Sequence, residues 1–239
     1  MTGPNRTAEL RERVWRQNMR LPAEGLVSLT WGNVSGRSDD GQLIAIKPSG
    51  VPYDEMTPDD IVVVDLDGRV VEGDLRPSVD TATHLELYRA FPGIGGMVHV
   101  HSTYATAFSQ ARRPLVCLGT THADHFAGVV PVTRQLTAAE VASEYEANTG
   151  RVIVEHFREA GTDATLVPAI FAAGHGPFVW GASEAAAVDN AVALEACAKI
   201  AVLTATLADG EPVPLEPWVL AVHSERKHGP GAYYGQADR

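Results

Sequence analysis

The chain has 239 residues, 45% hydrophobic and 21% charged, an ordinary balance for a globular protein with one sizeable core. Its formal charge of −11 repels nucleic acid and anionic membranes, so neither is expected as a partner, and an anionic ligand must find a local positive pocket. The opening is polar and charged, and no uncharged apolar run is long enough to span a bilayer, so a soluble, cytoplasmic protein is expected.

In chain order, AELRERVWRQNMRL carries Leu10, Val14 and Leu21 at roughly helical spacing, with Thr7 as the expected N-cap. LVSLTWGNVS reads as a strand running into a loop. LIAIKPSG is a strand ending in a turn, and IVVVDLDGRVVEG is a hairpin built on Asp67-Gly68. TATHLELYRAF is a helix, GGMVHVHS a strand, YATAFSQA a helix, and PLVCLGTTHADHF a strand running into a polar loop. AAEVASEYEANTGRVIVEHFREAG is helical with Gly150 as a weak point, VPAIFAAGHGP is a strand ending in a turn, and an Ala-rich helix begins after the N-cap Ser183.

No fixed-period repeat or long linker interrupts this pattern, so residues 1–239 are expected to form a single domain. Hairpins mixed with helices predict a three-layer α/β/α sandwich whose central sheet is largely antiparallel. The two cysteines, Cys117 and Cys197, lie in apolar or helical patterns and read as buried thiols rather than a disulfide.

His99 and His101 stand two apart in an apolar strand, which sends both imidazoles to one face. Burying two polar rings on one face without a purpose is costly. His175 ends a second apolar strand. Taken alone it also fits a hydrogen-bonded structural histidine, but three neutral imidazoles with an open fourth position are what a catalytic zinc requires. Around these strands the loops collect Asn33 and Ser35, then Lys47, Ser49 and Gly50, then Ser78 and Asp80. Backbone amides, hydroxyls and an ammonium are the components of a phosphate cradle, although Ser-Gly pairs are also common turn formers. No Walker A sequence, dinucleotide glycine fingerprint, H-E-x-x-H or G-x-S-x-G occurs.

LVSLTWGNVSG, IKPSGVPYDEMTPDDIVVVDLDGRVVEG, RPSVDTATHLELYRAFPGIGGMVHVHS, GTTHADHFAG, EYEANTG, GHGPFVWG and RKHGPGAYYGQ together resemble the class II aldolase/adducin superfamily. The resemblance runs from about Leu10 to Gln236, and within the superfamily it is nearest the L-ribulose-5-phosphate 4-epimerases. It implies that His99, His101 and His175 hold one divalent metal, usually zinc, with manganese or cobalt as alternatives. It also implies that Asn33, Lys47, Ser49, Gly50 and Ser78 contact phosphate, and that Asp80 is the general base, at a position where related sugar-phosphate aldolases carry Glu. Asp124 and Tyr234 would reach the substrate from the next subunit as proton donor and acceptor. Thr120, Glu146 and His223 would lie near the substrate.

The implied activity is the interconversion of L-ribulose 5-phosphate and D-xylulose 5-phosphate, by breaking the C3–C4 bond and re-forming it on the other face. The implied assembly is a homotetramer with active sites between subunits. The alternative is a class II aldolase that releases its aldehyde from a related sugar or sugar phosphate. Two positions depart from the epimerase pattern: Val79 stands where a second serine is expected, and His125 where an aromatic residue is expected.

Overall fold

A computed structural model of the chain describes residues 4–228 and Ala232. Short Val- and Ile-rich strands alternate their side chains between two sheet faces, and here both faces are apolar, so each must be covered by helices. β1 (Asn33–Arg37), β2 (Leu43–Ile46), β3 (Val62–Asp65), β4 (Val70–Glu72), β5 (Gly96–His99), β6 (Ala169–Phe171) and β7 (Pro177–Gly181) make one sheet, ordered β4-β3-β2-β1-β5-β7-β6. Every neighbouring pair is antiparallel.

Val34, Ala45, Val63, Val98 and Val179 face a layer containing α1 (Pro4–Ala23), α3 (Thr103–Ala111) and α6 (Glu184–Leu207). Ile44, Val62, Val64, Met97, Phe178 and Trp180 face α2 (Thr81–Ala90) and α5 (Ala138–Ala160). The architecture is thus the predicted α/β/α sandwich with an antiparallel sheet. The Asp67-Gly68 hairpin forms as read, with Gly68 at φ +85°. Ser183 accepts from the Ala186 amide as the N-cap of α6, and both thiols are free and buried. Among the described residues no helix is long and apolar enough to cross a membrane.

Several local readings are corrected. Helix α1 begins at Pro4, so Thr7 lies within it rather than capping it. The run from Leu26 to Trp31 is not strand: Gly25, at φ +69°, ends the helix and lets the Leu26 amide reach back to the Leu21 carbonyl, so the buried Leu26 belongs to a helix cap. The segment after Pro114 forms only one bridge, Leu115 with Val130, and then α4 (Thr120–His125), a short helix whose polar composition hides its period. α7 (Pro217–His228), unread in the sequence, packs on α4. In α5 the irregularity falls at Glu144 (φ −126°, ψ 72°), not at Gly150. Gly150 instead permits close helix packing, because a β-carbon there would lie 2.7 Å from Glu86 Cβ and 2.9 Å from the Thr83 carbonyl oxygen.

Candidate metal centre and ligand pocket

Strand β5 ends at His99, so His101 lies just beyond the sheet rather than within the strand. The two rings nevertheless converge, with Nε2 to Nε2 at 3.1 Å. His175 joins them from the turn before β7, and one ligand-capable atom from each of the three residues falls within 4.8 Å of the others. Gly176 makes that approach possible: a β-carbon there would lie 2.7 Å from the Val100 carbonyl oxygen and 3.2 Å from the His101 ring.

The donor set fits a divalent ion. His99 Nδ1 donates to the Pro177 carbonyl at 2.9 Å, which leaves Nε2 as a lone-pair donor, and the Phe178 ring stacks on the imidazole at 4.2 Å. Burial, reinforced by the other two imidazoles, lowers the His175 pKa to about 4, and burial also lowers that of His101, so both rings stay neutral. His175 Nδ1 is buried without a hydrogen-bond partner among the described residues. A tetrahedral zinc with Zn–N of about 2.0–2.1 Å would separate its ligand nitrogens by roughly 3.3–3.4 Å, close to the approach of His99 and His101.

The triad opens into a pocket of about 340 Å³ that also holds Asn33, Lys47, Ser49, Gly50, Ser78 and Asp80. Nine of the predicted site residues therefore meet in one place. They do so because two loops are zipped together: the Ser49 amide donates to the Arg76 carbonyl, and the Ser78 amide to the Lys47 carbonyl. Gly50 turns at φ +71°, a conformation that costs glycine least. Lys47 is 1% exposed, its Nζ donating to the Val51 carbonyl at 2.8 Å and lying 4.8 Å from the Tyr53 ring centre. Burial lowers its pKa to about 8.

Asp80 stands at the N-terminus of α2 but does not cap it. Its carboxylate accepts instead from Asn33 Nδ2 at 2.7 Å. Burial would raise its pKa, but His99 first, then His84, Asn33 and His175, together hold it below the ordinary carboxylate value.

Other predicted residues are not brought to this pocket within the chain. Thr120, Asp124 and His223 sit on α4 and α7, where Asp124 bonds His223 Nδ1 at 2.9 Å and Arg226. Glu146 lies on α5, where its carbonyl accepts from Thr83 Oγ1 at 2.6 Å. Tyr234 lies outside the described residues. Conversely, Thr30 and Trp31 line the pocket although nothing in their pattern marked them, and the half-exposed Trp31 ring lies 6.4 Å from His101. An aromatic side chain left exposed beside a histidine cluster is visible only once the loop is folded. The Tyr145 ring also approaches His175, at 6.2 Å.

The family model "Class II Aldolase and Adducin N-terminal domain" matches residues 12–202. Among solved structures, an L-fuculose 1-phosphate aldolase is 29% identical, with 95% of this chain and 97% of that chain covered and a TM-score of 0.76. The L-fuculose-1-phosphate aldolase of Thermus thermophilus is 30% identical over 86% of this chain and 99% of its own, with a TM-score of 0.67. Escherichia coli YgbL, described as a candidate aldolase/epimerase/decarboxylase, is 26% identical over 91% of this chain and 99% of its own, with a TM-score of 0.71.

Proposed function

We propose, from the premise that this chain belongs to the class II aldolase family, that it cleaves a carbon–carbon bond of a phosphorylated ketose by a metal-assisted retro-aldol step. The observation that carries this reading is the meeting of His99, His101 and His175 with Asp80 and Lys47 in one pocket. Bound there, a divalent ion, with zinc best suited to three histidines, supplies the Lewis acidity that polarises a carbonyl.

The chain's own residues supply the rest. Lys47, the Ser49-Gly50 turn and Ser78 offer an ammonium, backbone amides and hydroxyls to a phosphate. In the cleavage direction the C4 hydroxyl gives up its proton as the C3–C4 electron pair moves toward the carbonyl. Asp80, kept ionised, is the base that faces the triad.

Two fates of the aldehyde define two readings. Release makes the protein an aldolase, and the fuculose-phosphate aldolases among its structural neighbours support that outcome. Retention and re-addition on the other face makes it an epimerase of L-ribulose 5-phosphate. Position 80 favours this second reading, since it carries the Asp of the epimerases rather than the Glu of the aldolases.

A homotetramer with shared sites accounts for the distance of Thr120, Asp124 and His223 from the triad's pocket, since a neighbouring copy can bring them to it. The test is product analysis of metal-loaded protein with L-ribulose 5-phosphate and with L-fuculose 1-phosphate. Accumulation of a free aldehyde identifies an aldolase; D-xylulose 5-phosphate without free aldehyde identifies the epimerase. Neither product from either ketose defeats the retro-aldol reading for these substrates.

A further inference from the structure

Helix α2 meets strand β1 through polar groups where apolar contact would be the default. Asp80, His84 and Tyr88 recur every four residues, which aligns them in one stripe along the helix, and Asn33 and Ser35 are two apart on one face of the strand. The two rows interlock. Asn33 Nδ2 donates to Asp80 at 2.7 Å, while Ser35 Oγ lies 2.7 Å from His84 Nδ1 and 2.9 Å from the Tyr88 hydroxyl. His84 and Ser35 are fully buried and Tyr88 nearly so.

One arrangement of hydrogen-bond polarity along this row gives both hydroxyl protons an acceptor. The Tyr88 hydroxyl has no other acceptor among its hydrogen bonds here, so it donates to Ser35 Oγ; Ser35 then donates to His84 Nδ1. Burial keeps the Tyr88 phenol protonated by raising its pKa, and lowers that of His84 to about 3, so the imidazole is neutral. Its one proton must then sit on Nε2. That nitrogen is buried and has no hydrogen-bond partner among the described residues. A buried donor left unsatisfied is destabilising, so its presence calls for a reason. The charge that acts most on His84 is that of Asp80, one helical turn away, whose carbonyl accepts the His84 amide.

We propose that His84 is a positioning residue for Asp80, held by Tyr88 and Ser35 as the Nε2–H tautomer so that a fixed N–H dipole stands behind the carboxylate in the ligand pocket. The inference rests on the role of Asp80 proposed above. The dipole favours the ionised carboxylate and complements Asn33 Nδ2 in fixing its orientation, without His84 touching the substrate. Such a donor costs nothing to reorganise during the reaction.

The first experiment reads the tautomer without reference to activity: two-bond 1H–15N correlation on metal-loaded protein labelled at histidine nitrogens, with His84 assigned by comparison with His84→Gln. The proposal expects the Nε2–H form in wild-type protein and a shift toward Nδ1–H in Tyr88→Phe. A wild-type Nδ1–H form overturns it. The second experiment compares His84→Phe and His84→Gln on whichever ketose phosphate the protein cleaves. His84→Phe should lower kcat at least tenfold with KM within about twofold and bound metal unchanged, and His84→Gln, whose amide can donate from the Nε2 position, should recover several-fold of that loss. Full kcat in His84→Phe overturns the proposal, as does an equal loss in both variants with a normal melting temperature. If wild-type protein cleaves neither ketose, the functional reading fails on its own account while the tautomer measurement still decides the placement of the N–H.

Discussion

Arg226 grips Asp124 with two prongs, Nε donating to one carboxylate oxygen at 3.0 Å and Nη2 to the other at 2.6 Å, and so ties α7 to α4. Burial alone would raise the Asp124 pKa; Arg226 and His223 outweigh it and hold the carboxylate below its ordinary value of 3.8. A depressed carboxylate pKa stabilises the fold above the unfolded value and loses that contribution as pH falls through the folded one. Arg226→Ala should therefore destabilise the protein by about 1.5–3 kcal/mol at pH 7, read from urea unfolding, with the difference from wild type shrinking below about pH 4. A constant difference down to pH 3 would show that Arg226 acts through packing instead.

Metal binding should depend on all three imidazoles. His99→Ala and His175→Ala should each copurify with less than about a tenth of the wild-type zinc, and a chelator should lower the melting temperature of wild-type protein but not of either variant. Undiminished metal in both variants would move the site elsewhere.

Lys47 should carry the pH dependence of ligand binding if it holds the phosphate as proposed. Its charge is present below about pH 8 and lost above it, so KM for a phosphorylated ketose should rise as pH passes through 8. The linkage to stability runs the other way. A lysine whose folded pKa lies below the unfolded value of 10.5 disfavours folding most at pH 7, and stability recovers between about pH 8 and 10.5. Lys47→Met should accordingly raise KM at least tenfold at pH 7 while stabilising the fold by up to about 3 kcal/mol. Unchanged KM would remove Lys47 from the phosphate cradle.

Val79 lines the pocket and is 66% exposed, so its methyl groups face whatever enters. Val79→Ser adds one hydroxyl beside Ser78, worth about 0.5–1.5 kcal/mol to a bound phosphate. KM for L-ribulose 5-phosphate should fall several-fold with kcat nearly unchanged, the mark of uniform binding. A fall in kcat/KM instead would indicate that the native substrate presents an apolar group at this point.

Gly150→Ala tests the packing of α5 on α2. Its new methyl would meet Glu86 Cβ at 2.7 Å and backbone at 2.9 Å, so overpacking should outweigh the gain in helix propensity and cost about 1–3 kcal/mol in urea unfolding. A stabilised variant would mean that the two helices separate at little cost.

The sequence by itself determined β2 to β6, most helices and the chemical inventory of the pocket, because each depends on local pattern, whereas β1 lies in a stretch that reads as a loop and β7 is not legible beyond its Gly-Pro turn. Short apolar runs mark β2, β3 and β5; Ser183 marks the start of α6; His99, His101 and Lys47 stand at or just beyond strand ends, and Asp80 stands at the start of α2. Convergence was decided by tertiary structure. His99 and His175 are 76 positions apart, and only the pairing of β5 with β7 and the bare α-carbon of Gly176 set their rings together. The same holds for the stripe of Asp80, His84 and Tyr88, whose regular spacing acquires meaning only when Asn33 and Ser35 of β1 lie across from it. Local sequence can state which groups exist and which way they repeat. Which group lies within hydrogen-bonding distance of another from a remote segment is fixed by the packing of the helices on the sheet.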